Sequence, residues 1–507
     1  MILHIEGDIN AYYVQTLCML FFPGAKFGAE ERPTPDTPTV TVKACYGEDG
    51  EARAEAEISL DDRTCHAEGT AAPCEDVDKG RLMKVAVGRA VFGAGTAFFG
   101  GYTPPWGILT GVRPSKVASE LLKNGNGVQK ARRVLRDQYF VNPKKAALAV
   151  SVASMEQKLT KKLSPDLCSV YISIPFCPSR CAYCSFVSYT SGRLLSLIDD
   201  YLLKLYADIR NIFSVIRELG LRTATIYIGG GTPTVLTPDQ LRKLLSVIAE
   251  NCDIPSLAEF TVEAGRPDTI TKEKLNILYR AGVTRISVNP QSLDDEVLRA
   301  IGRRHTADDF FRAYDLARAS GIKTLNVDLI AGLPEDNFGK FSQTVDRVIN
   351  LGPENITVHT FCVKKAADIL KNNSNVYSLT GGDTNKCVEY SQMKTKFAGY
   401  KPYYMYRQKN TVGNLENVGY ALEGTECMYN IFMMEELQTV FSVGAGAVTK
   451  LVSGRCGVSG EEERIQRIFT PKYPYEYLRD ADAIRLGDPA EGKVPIRDKI
   501  MEFYKRS

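Results

Sequence analysis

The pattern of apolar and polar positions changes character twice along the chain. In the first stretch, runs such as Thr39-Val-Thr-Val-Lys43 and Ala54-Glu-Ala-Glu-Ile-Ser-Leu60 alternate with period two. Such runs read as half-buried strands. Helical spacing follows over 81–99, 114–123 and 128–139. Strands grouped before helices predict an α+β domain over residues 1–165.

From about Asp166 the pattern becomes a strict alternation of strand and helix. Apolar runs at 169–174, 225–228, 259–262, 285–288, 324–329 and 355–358 predict strands. Helical patterns fill the gaps at 194–219, 238–250, 271–281, 308–319 and 338–350. Repeated strand–helix–strand units imply parallel strands with right-handed crossovers. Six strands cannot close an eight-stranded barrel, so residues 166–365 are expected to form an open (β/α)6 partial barrel. Ligands in such folds sit beyond the carboxyl ends of the strands. Past about Lys364 the alternation fades. Residues 366–507, rich in Tyr, Glu and Asn, are expected to form an α+β extension covering the barrel mouth.

Composition narrows the function classes. With 63 basic and 60 acidic residues the net charge is +3, which gives no global pull toward nucleic acid or anionic membrane. The run Gln129-Lys-Ala-Arg-Arg-Val-Leu-Arg136 reads as a solvated helix face rather than an RNA patch. No apolar run reaches the length of a membrane span, and Met1-Ile-Leu-His-Ile-Glu reads as a first strand, not a signal sequence. Thirteen cysteines, an odd number, suit a reducing compartment better than a disulfide framework. The expectation is a cytoplasmic monomer without membrane or nucleic-acid partner. Pro104-Pro-Trp-Gly-Ile-Leu-Thr-Gly-Val-Arg-Pro-Ser-Lys116 holds the only tryptophan and reads as an ordered loop.

The chemistry concentrates after the first barrel strand. Tyr171-Ile-Ser-Ile-Pro-Phe-Cys177-Pro-Ser-Arg-Cys181-Ala-Tyr-Cys184 spaces three cysteines as C-x3-C-x2-C. Structural zinc usually takes four ligands, and no second pair follows at a suitable distance. Three thiolates suit a [4Fe–4S] cube with one iron left open, against the competing readings of zinc or plain packing. The amino and carboxylate groups of S-adenosylmethionine (SAM) fit an open iron, and SAM brings radical chemistry to proteins. Cys168 and Cys252 lie outside this pattern and are not expected to bind the cluster. One unit later comes Gly229-Gly-Gly-Thr-Pro-Thr234, a turn that lets backbone approach a ligand closely. It lacks the Gly-Lys-Ser/Thr ending of a phosphate loop.

At this pair of motifs the sequence resembles the radical SAM superfamily. Val262-Glu-Ala, Arg285-Ile-Ser-Val-Asn-Pro-Gln-Ser292 and Asn326-Val-Asp-Leu-Ile-Ala-Gly-Leu-Pro334 make it similar to the oxygen-independent coproporphyrinogen III dehydrogenase family. The long N-terminal region and Tyr406-Arg-Gln-Lys-Asn-Thr-Val-Gly-Asn-Leu-Glu-Asn-Val-Gly-Tyr420 look most like its HemZ-type branch. The resemblance implies cluster ligation by Cys177, Cys181 and Cys184. It implies SAM contacts from Tyr171, Gly230, Gly231, Thr232 and Glu263. Gln291, Arg303 and Asp328 match positions of a second SAM, and Tyr183 and Cys362 lie at further matching positions.

The same resemblance implies oxidative decarboxylation of coproporphyrinogen III to protoporphyrinogen IX in haem synthesis, fed by a low-potential donor such as flavodoxin or ferredoxin. A tetrapyrrole with four carboxylates calls for cations at the mouth. Arg180, Arg407 and Lys409 are the candidates. The family's founding members carry a further cysteine where this chain has Phe186. Haem chaperones of a related branch share that kind of replacement but carry His-Asn-x-x-Tyr-Trp near the C-terminus. That motif is missing here: no tryptophan follows Trp106 and no histidine follows His359. A haem chaperone, or a radical SAM enzyme acting on haem or RNA, remains the alternative.

Overall fold

Two sheets organise the described residues. The structure is a computed structural model and describes all residues except 29–35, 74–78, 162, 185–191, 363–381, 409–410, 454–463, 480–494 and 506–507. The smaller sheet orders β1 (Ile2–Glu6), β2 (Thr39–Tyr46), β3 (Ala52–Leu60) and β4 (Arg63–Ala71). In β3, Ala52, Ala54, Ala56 and Ile58 are buried while Arg53, Glu55 and Glu57 face water. A period of two allows one such strand to serve core and solvent at once. Helix α2 (Lys79–Phe98) lies across β3 and β4, and α1 (Ala11–Cys18) packs on α2.

The larger sheet is built on six parallel strands: β5 (Leu167–Ile174), β6 (Arg222–Gly230), β7 (Glu259–Glu263), β8 (Arg285–Ser287), β9 (Thr324–Ala331) and β10 (Asn355–Thr360). They neighbour one another in chain order, as the alternation predicts. Helices Ile198–Glu218, Pro238–Ala249, Lys272–Arg280, Ala307–Ala319 and Phe338–Leu351 make the crossovers. Two of them start at reciprocal caps, Thr237 with Gln240 and Thr306 with Asp309. Each cap satisfies backbone N–H groups that the first helical turn leaves open.

The residues after 366 extend this same sheet at both ends. β12 (Glu416–Ala421) runs antiparallel to β10, and β11 (Lys401–Arg407) antiparallel to β12. On the far side β13 (Val440–Val443) joins β5 in parallel, followed by antiparallel β14 (Val448–Ser453) and β15 (Arg464–Phe469). The sheet therefore stays open, ending in β11 and β15 among the described residues.

Packing divides the first 165 residues. The small sheet and α1–α2 share a core of their own, around Val40, Val42, Val87 and Val91. Helices α3 (Ser115–Lys123), α4 (Val128–Tyr139) and α5 (Pro143–Thr160) instead contribute Ala118, Leu135 and Ala149 to the core of the barrel. Trp106, fully buried, belongs to that larger core as well. Among the described residues no helix is long and apolar enough to cross a membrane.

Candidate functional site

The carboxyl ends of the parallel strands surround a cleft of about 260 Å³. Its wall includes Cys177, Cys181, Tyr183, Cys184, Gly230, Gly231, Thr232, Glu263, Gln291, Arg303, Asp328 and Cys362. These include every cluster and SAM candidate except Tyr171. Tyr171 sits further down β5, in a stack with Tyr227 and Tyr429 whose ring centroids lie 4.5 to 6.2 Å apart. Its stacked neighbour Tyr227 reaches the cleft, with a hydroxyl that donates to Glu263 at 2.7 Å.

Two loops form the floor, and the backbone stitches them together. Gly231 N donates to Ile174 O and Thr232 N to Phe176 O, both at 2.8 Å. A Cβ at Gly231 would stand 2.5 Å from the carbonyl oxygen of Phe176, so only glycine fits between the cysteine loop and the next strand. Gly230 takes a φ of 107°, a conformation that L side chains rarely adopt. This is the physical content of the Gly-Gly-Gly-Thr-Pro run.

The cysteine loop is pinned from three sides. Thr232 Oγ1 lies 3.3 Å from Cys177 Sγ, and Arg266 Nη1 donates to Cys181 Sγ at 3.2 Å. Ala182 N donates to Ile301 O at 3.0 Å. Burial pushes the Cys177 thiol up to about 11, against the opposing bond from Thr232. Metal binding there must displace a proton. The donor set fits an iron–sulfur cube: three sulfurs on one loop, with a guanidinium beside them to offset thiolate charge. Among the described residues no three His, Cys, Asp or Glu side chains converge on one point as around a single metal ion. Each thiolate on a cube binds its own iron, so separated sulfurs suit it. Cys168 and Cys252 lie at the opposite, amino-terminal end of the strands, the former fully buried.

The other wall carries polar groups with uncommitted capacity. Burial pushes Glu263 up to about 7, against the hydrogen bond from Tyr227. Gln291 holds a φ of 71°, and its buried Oε1 has no partner among the described residues. Arg303 Nη1 donates to the carbonyls of Gly265 at 3.0 Å and Asn289 at 2.9 Å, while Nη2 donates to Tyr183 OH at 2.9 Å. It thus ties three loops together, with Nε unpaired among the described residues. Asp328 accepts from Asn289 and Asn326, each at 2.8 Å, and lies 3.8 Å from His359 Nε2. Burial pulls its carboxyl upward, but His359 and the bonds from Asn326 and Thr357 outweigh that and hold it below the usual range.

The structure adds residues that sequence reasoning missed. Arg266, Asn289, His359, Tyr406 and Asn417 all line the cleft. Three of them lie at or just beyond the carboxyl ends of β7, β8 and β10, where ligand-binding groups gather. That rule alone would have found them. The cation candidates fare differently. Arg407 is buried away from the cleft, its guanidinium donating to Leu109 O and lying over the Trp106 ring at 6.0 Å. Arg180 is exposed and is not among the lining residues. Lys409 and Phe186 lie outside the described residues.

Comparison with known proteins bears on the family and the fold. The radical SAM superfamily model matches residues 171–348. The oxygen-independent coproporphyrinogen-III oxidase-like protein HemZ of Bacillus subtilis is 39% identical over 74% of this chain and 75% of its own. The heme chaperone HemW of Escherichia coli is 28% identical over 66% of this chain and 81% of its own. Among solved structures, coproporphyrinogen III oxidase (HemN) of Escherichia coli, described as a radical SAM enzyme, matches with a TM-score of 0.50. That match has 19% identity and covers 65% of this chain and 72% of that one. At that identity the likeness bears on fold alone. The cofactors of this fold are a [4Fe–4S] cluster and SAM. The chain belongs to the radical SAM superfamily, with the HemZ-like members of the oxygen-independent coproporphyrinogen-III oxidase family.

Proposed function

We propose that this protein decarboxylates coproporphyrinogen III to protoporphyrinogen IX without oxygen, in haem synthesis. The observation that carries the reading is the 39% identity, over 74% of this chain, to a relative named as an oxygen-independent coproporphyrinogen-III oxidase-like protein. The lack of His-Asn-x-x-Tyr-Trp in this sequence supports an enzyme over a chaperone. Cys177, Cys181 and Cys184 would hold the cluster, and Gly230, Gly231, Thr232 and Glu263 would hold SAM. Together these cofactors supply a reducible iron site and a 5′-deoxyadenosyl radical.

The chain's own residues bind, orient and exclude water. Glu263, with a pKa near 7, keeps or yields a proton at its carboxyl close to neutral pH. Its proximity to the glycine turn suits it to polar groups of SAM. Arg303 fixes the cysteine loop relative to the ends of β7 and β8 rather than spending its charge on substrate. His359 and Tyr406 then become the polar groups of the far wall, joined at 3.2 Å through His359 Nδ1. The substrate's carboxylates would meet them there. Each of two propionates would give one hydrogen atom to the deoxyadenosyl radical, then release carbon dioxide and pass one electron to a one-electron acceptor, leaving a vinyl group with one SAM consumed.

The competing reading is a haem chaperone, favoured by the HemW relatives and by phenylalanine at 186. Anaerobic incubation of reconstituted protein with SAM, a reductant and coproporphyrinogen III separates the two. Vinyl product in step with deoxyadenosine supports the oxidase. Tight haem binding without vinyl formation would replace it with the chaperone.

A further inference from the structure

The region before the barrel has a loop that grips the back of the cleft wall. Its centre is Trp106, 0% exposed, whose Nε1 donates to Glu416 Oε2 at 2.9 Å. Lys145 of α5 donates to the other oxygen at 2.6 Å, and Gln392 reaches it at 3.4 Å. Glu416 and Lys145 are only 1% and 2% exposed. The same loop accepts from the neighbouring strand. Arg407 N donates to Val112 O at 2.7 Å, and the Arg407 guanidinium donates to Leu109 O.

The strand register makes this contact consequential. Arg407 stands opposite Glu416 on β11 and β12, and the next pair is Tyr406 opposite Asn417. Successive side chains of a strand point to opposite faces. The first pair therefore grips the Trp106 loop while the second lines the cleft. Hydrogen bonds continue inward from there. Asn417 Oδ1 accepts from Thr360 N at 2.8 Å, and its Nδ2 donates to Tyr406 O at 3.2 Å. Tyr406 OH meets His359, which stands beside Asp328.

We infer that Trp106 and its loop are a positioning device for the Tyr406–Asn417–His359 wall, acting through the back of β11 and β12. This assigns a role in substrate orientation to the region before the barrel, and its kinetic part rests on the proposed tetrapyrrole reading. Trp106 touches no reacting atom. It holds Glu416 and Arg407, and they fix the strands whose opposite faces meet the substrate.

The test uses the full chain. Trp106 is the only tryptophan, so its fluorescence reports this junction alone. In metal-free protein, Asn417→Ala and Tyr406→Phe should each change the emission maximum or lifetime of Trp106. Tyr183→Phe, whose hydroxyl is bonded to Arg303 and not to this network, should leave both unchanged. In reconstituted protein, Trp106→Phe keeps an apolar ring and removes the N–H. It should raise the KM for coproporphyrinogen III about fivefold with a smaller change in kcat. Combining it with Tyr406→Phe should cost less than the product of the two single effects. Emission indifferent to both Asn417→Ala and Tyr406→Phe would overturn the coupling, as would multiplicative kinetic effects. The emission measurements need neither cofactor nor substrate. Absence of vinyl product in the unsubstituted protein, with emission still coupled, would therefore reject the tetrapyrrole reading alone.

Discussion

Two polar clusters on opposite faces of β11 and β12 are both buried, yet they are built on contrasting principles. At the junction behind the strands, each oxygen of Glu416 has a donor, from Trp106 on one side and Lys145 with Gln392 on the other. Arg407 Nε lacks a bond there, but its guanidinium rests over an aromatic ring. In the cleft, Gln291 Oε1 and Arg303 Nε lack partners among the described residues, and Glu263 has its pKa raised by burial. An unpaired buried polar group costs free energy. A satisfied cluster specifies architecture, whereas an unsatisfied one marks where a ligand supplies the missing partners.

The largest effect that this contrast predicts is at the cysteine loop. Replacing Cys177, Cys181 or Cys184 by alanine should remove most of the iron and visible absorbance of reconstituted protein. Cys168→Ala and Cys252→Ala should keep both, because they sit at the far end of the strands. Iron and optical spectra of the five variants decide it. Loss in Cys168→Ala with an intact Cys181→Ala protein would place the cluster elsewhere.

Next in size is the junction. Lys145→Met takes the bonded ammonium from the buried Glu416 carboxylate, leaving the facing Arg407 guanidinium as a weaker compensation, and should destabilise the fold by about 3 kcal/mol. Adding Glu416→Leu removes the stranded charge and should recover part of that loss. Denaturant titration followed by Trp106 emission measures both. A double variant no more stable than the single one would show that the pair is not the organising contact.

Glu263 gives a smaller effect with a definite sign. Its folded pKa of about 7 lies above the ordinary value of 4.5, so the folded state binds the extra proton between those limits. Stability from this group is fully present below about pH 4.5 and declines as pH rises through 7. In metal-free protein, Glu263→Gln should flatten the decline between pH 5 and 7.5 by about 2 kcal/mol relative to the unsubstituted chain. Comparison with the parent cancels other groups with raised values, such as Glu156. Parallel pH–stability curves for the two proteins would contradict the burial argument.

How much of this was legible beforehand depends on whether the signal is local. Cys177, Cys181 and Cys184 and the glycine run sit within single loops, and the parallel strands write their own period into the chain. Tyr406 and Asn417 were not legible. They belong to antiparallel strands added beyond β10, and alternation shows that a strand has two faces without showing which one meets the cleft. Arg407 failed for the same reason, since one residue of register separates the cleft from the Trp106 loop. Tyr171 carries a family motif, yet its position along β5 places it in the tyrosine stack, below the strand ends.

The smallest effect tests the contrast at a single side chain. Gln291 carries two costs in the free protein: a positive φ for a residue with a Cβ, and a buried acceptor without a donor among the described residues. Both disappear in Gln291→Gly, since glycine adopts φ > 0 readily and brings no polar atom. The metal-free protein should therefore gain stability, by about 1 kcal/mol after the added chain entropy of glycine is offset. The same change should weaken ligand binding in the cleft about tenfold, because the orphan acceptor is the group a ligand would satisfy. Thermal denaturation of metal-free protein and SAM titration of reconstituted protein measure the two halves. Higher stability with weaker binding is the signature of a polar group kept for function. A loss of stability with binding unchanged would place Gln291 among the architectural residues, beside Glu416.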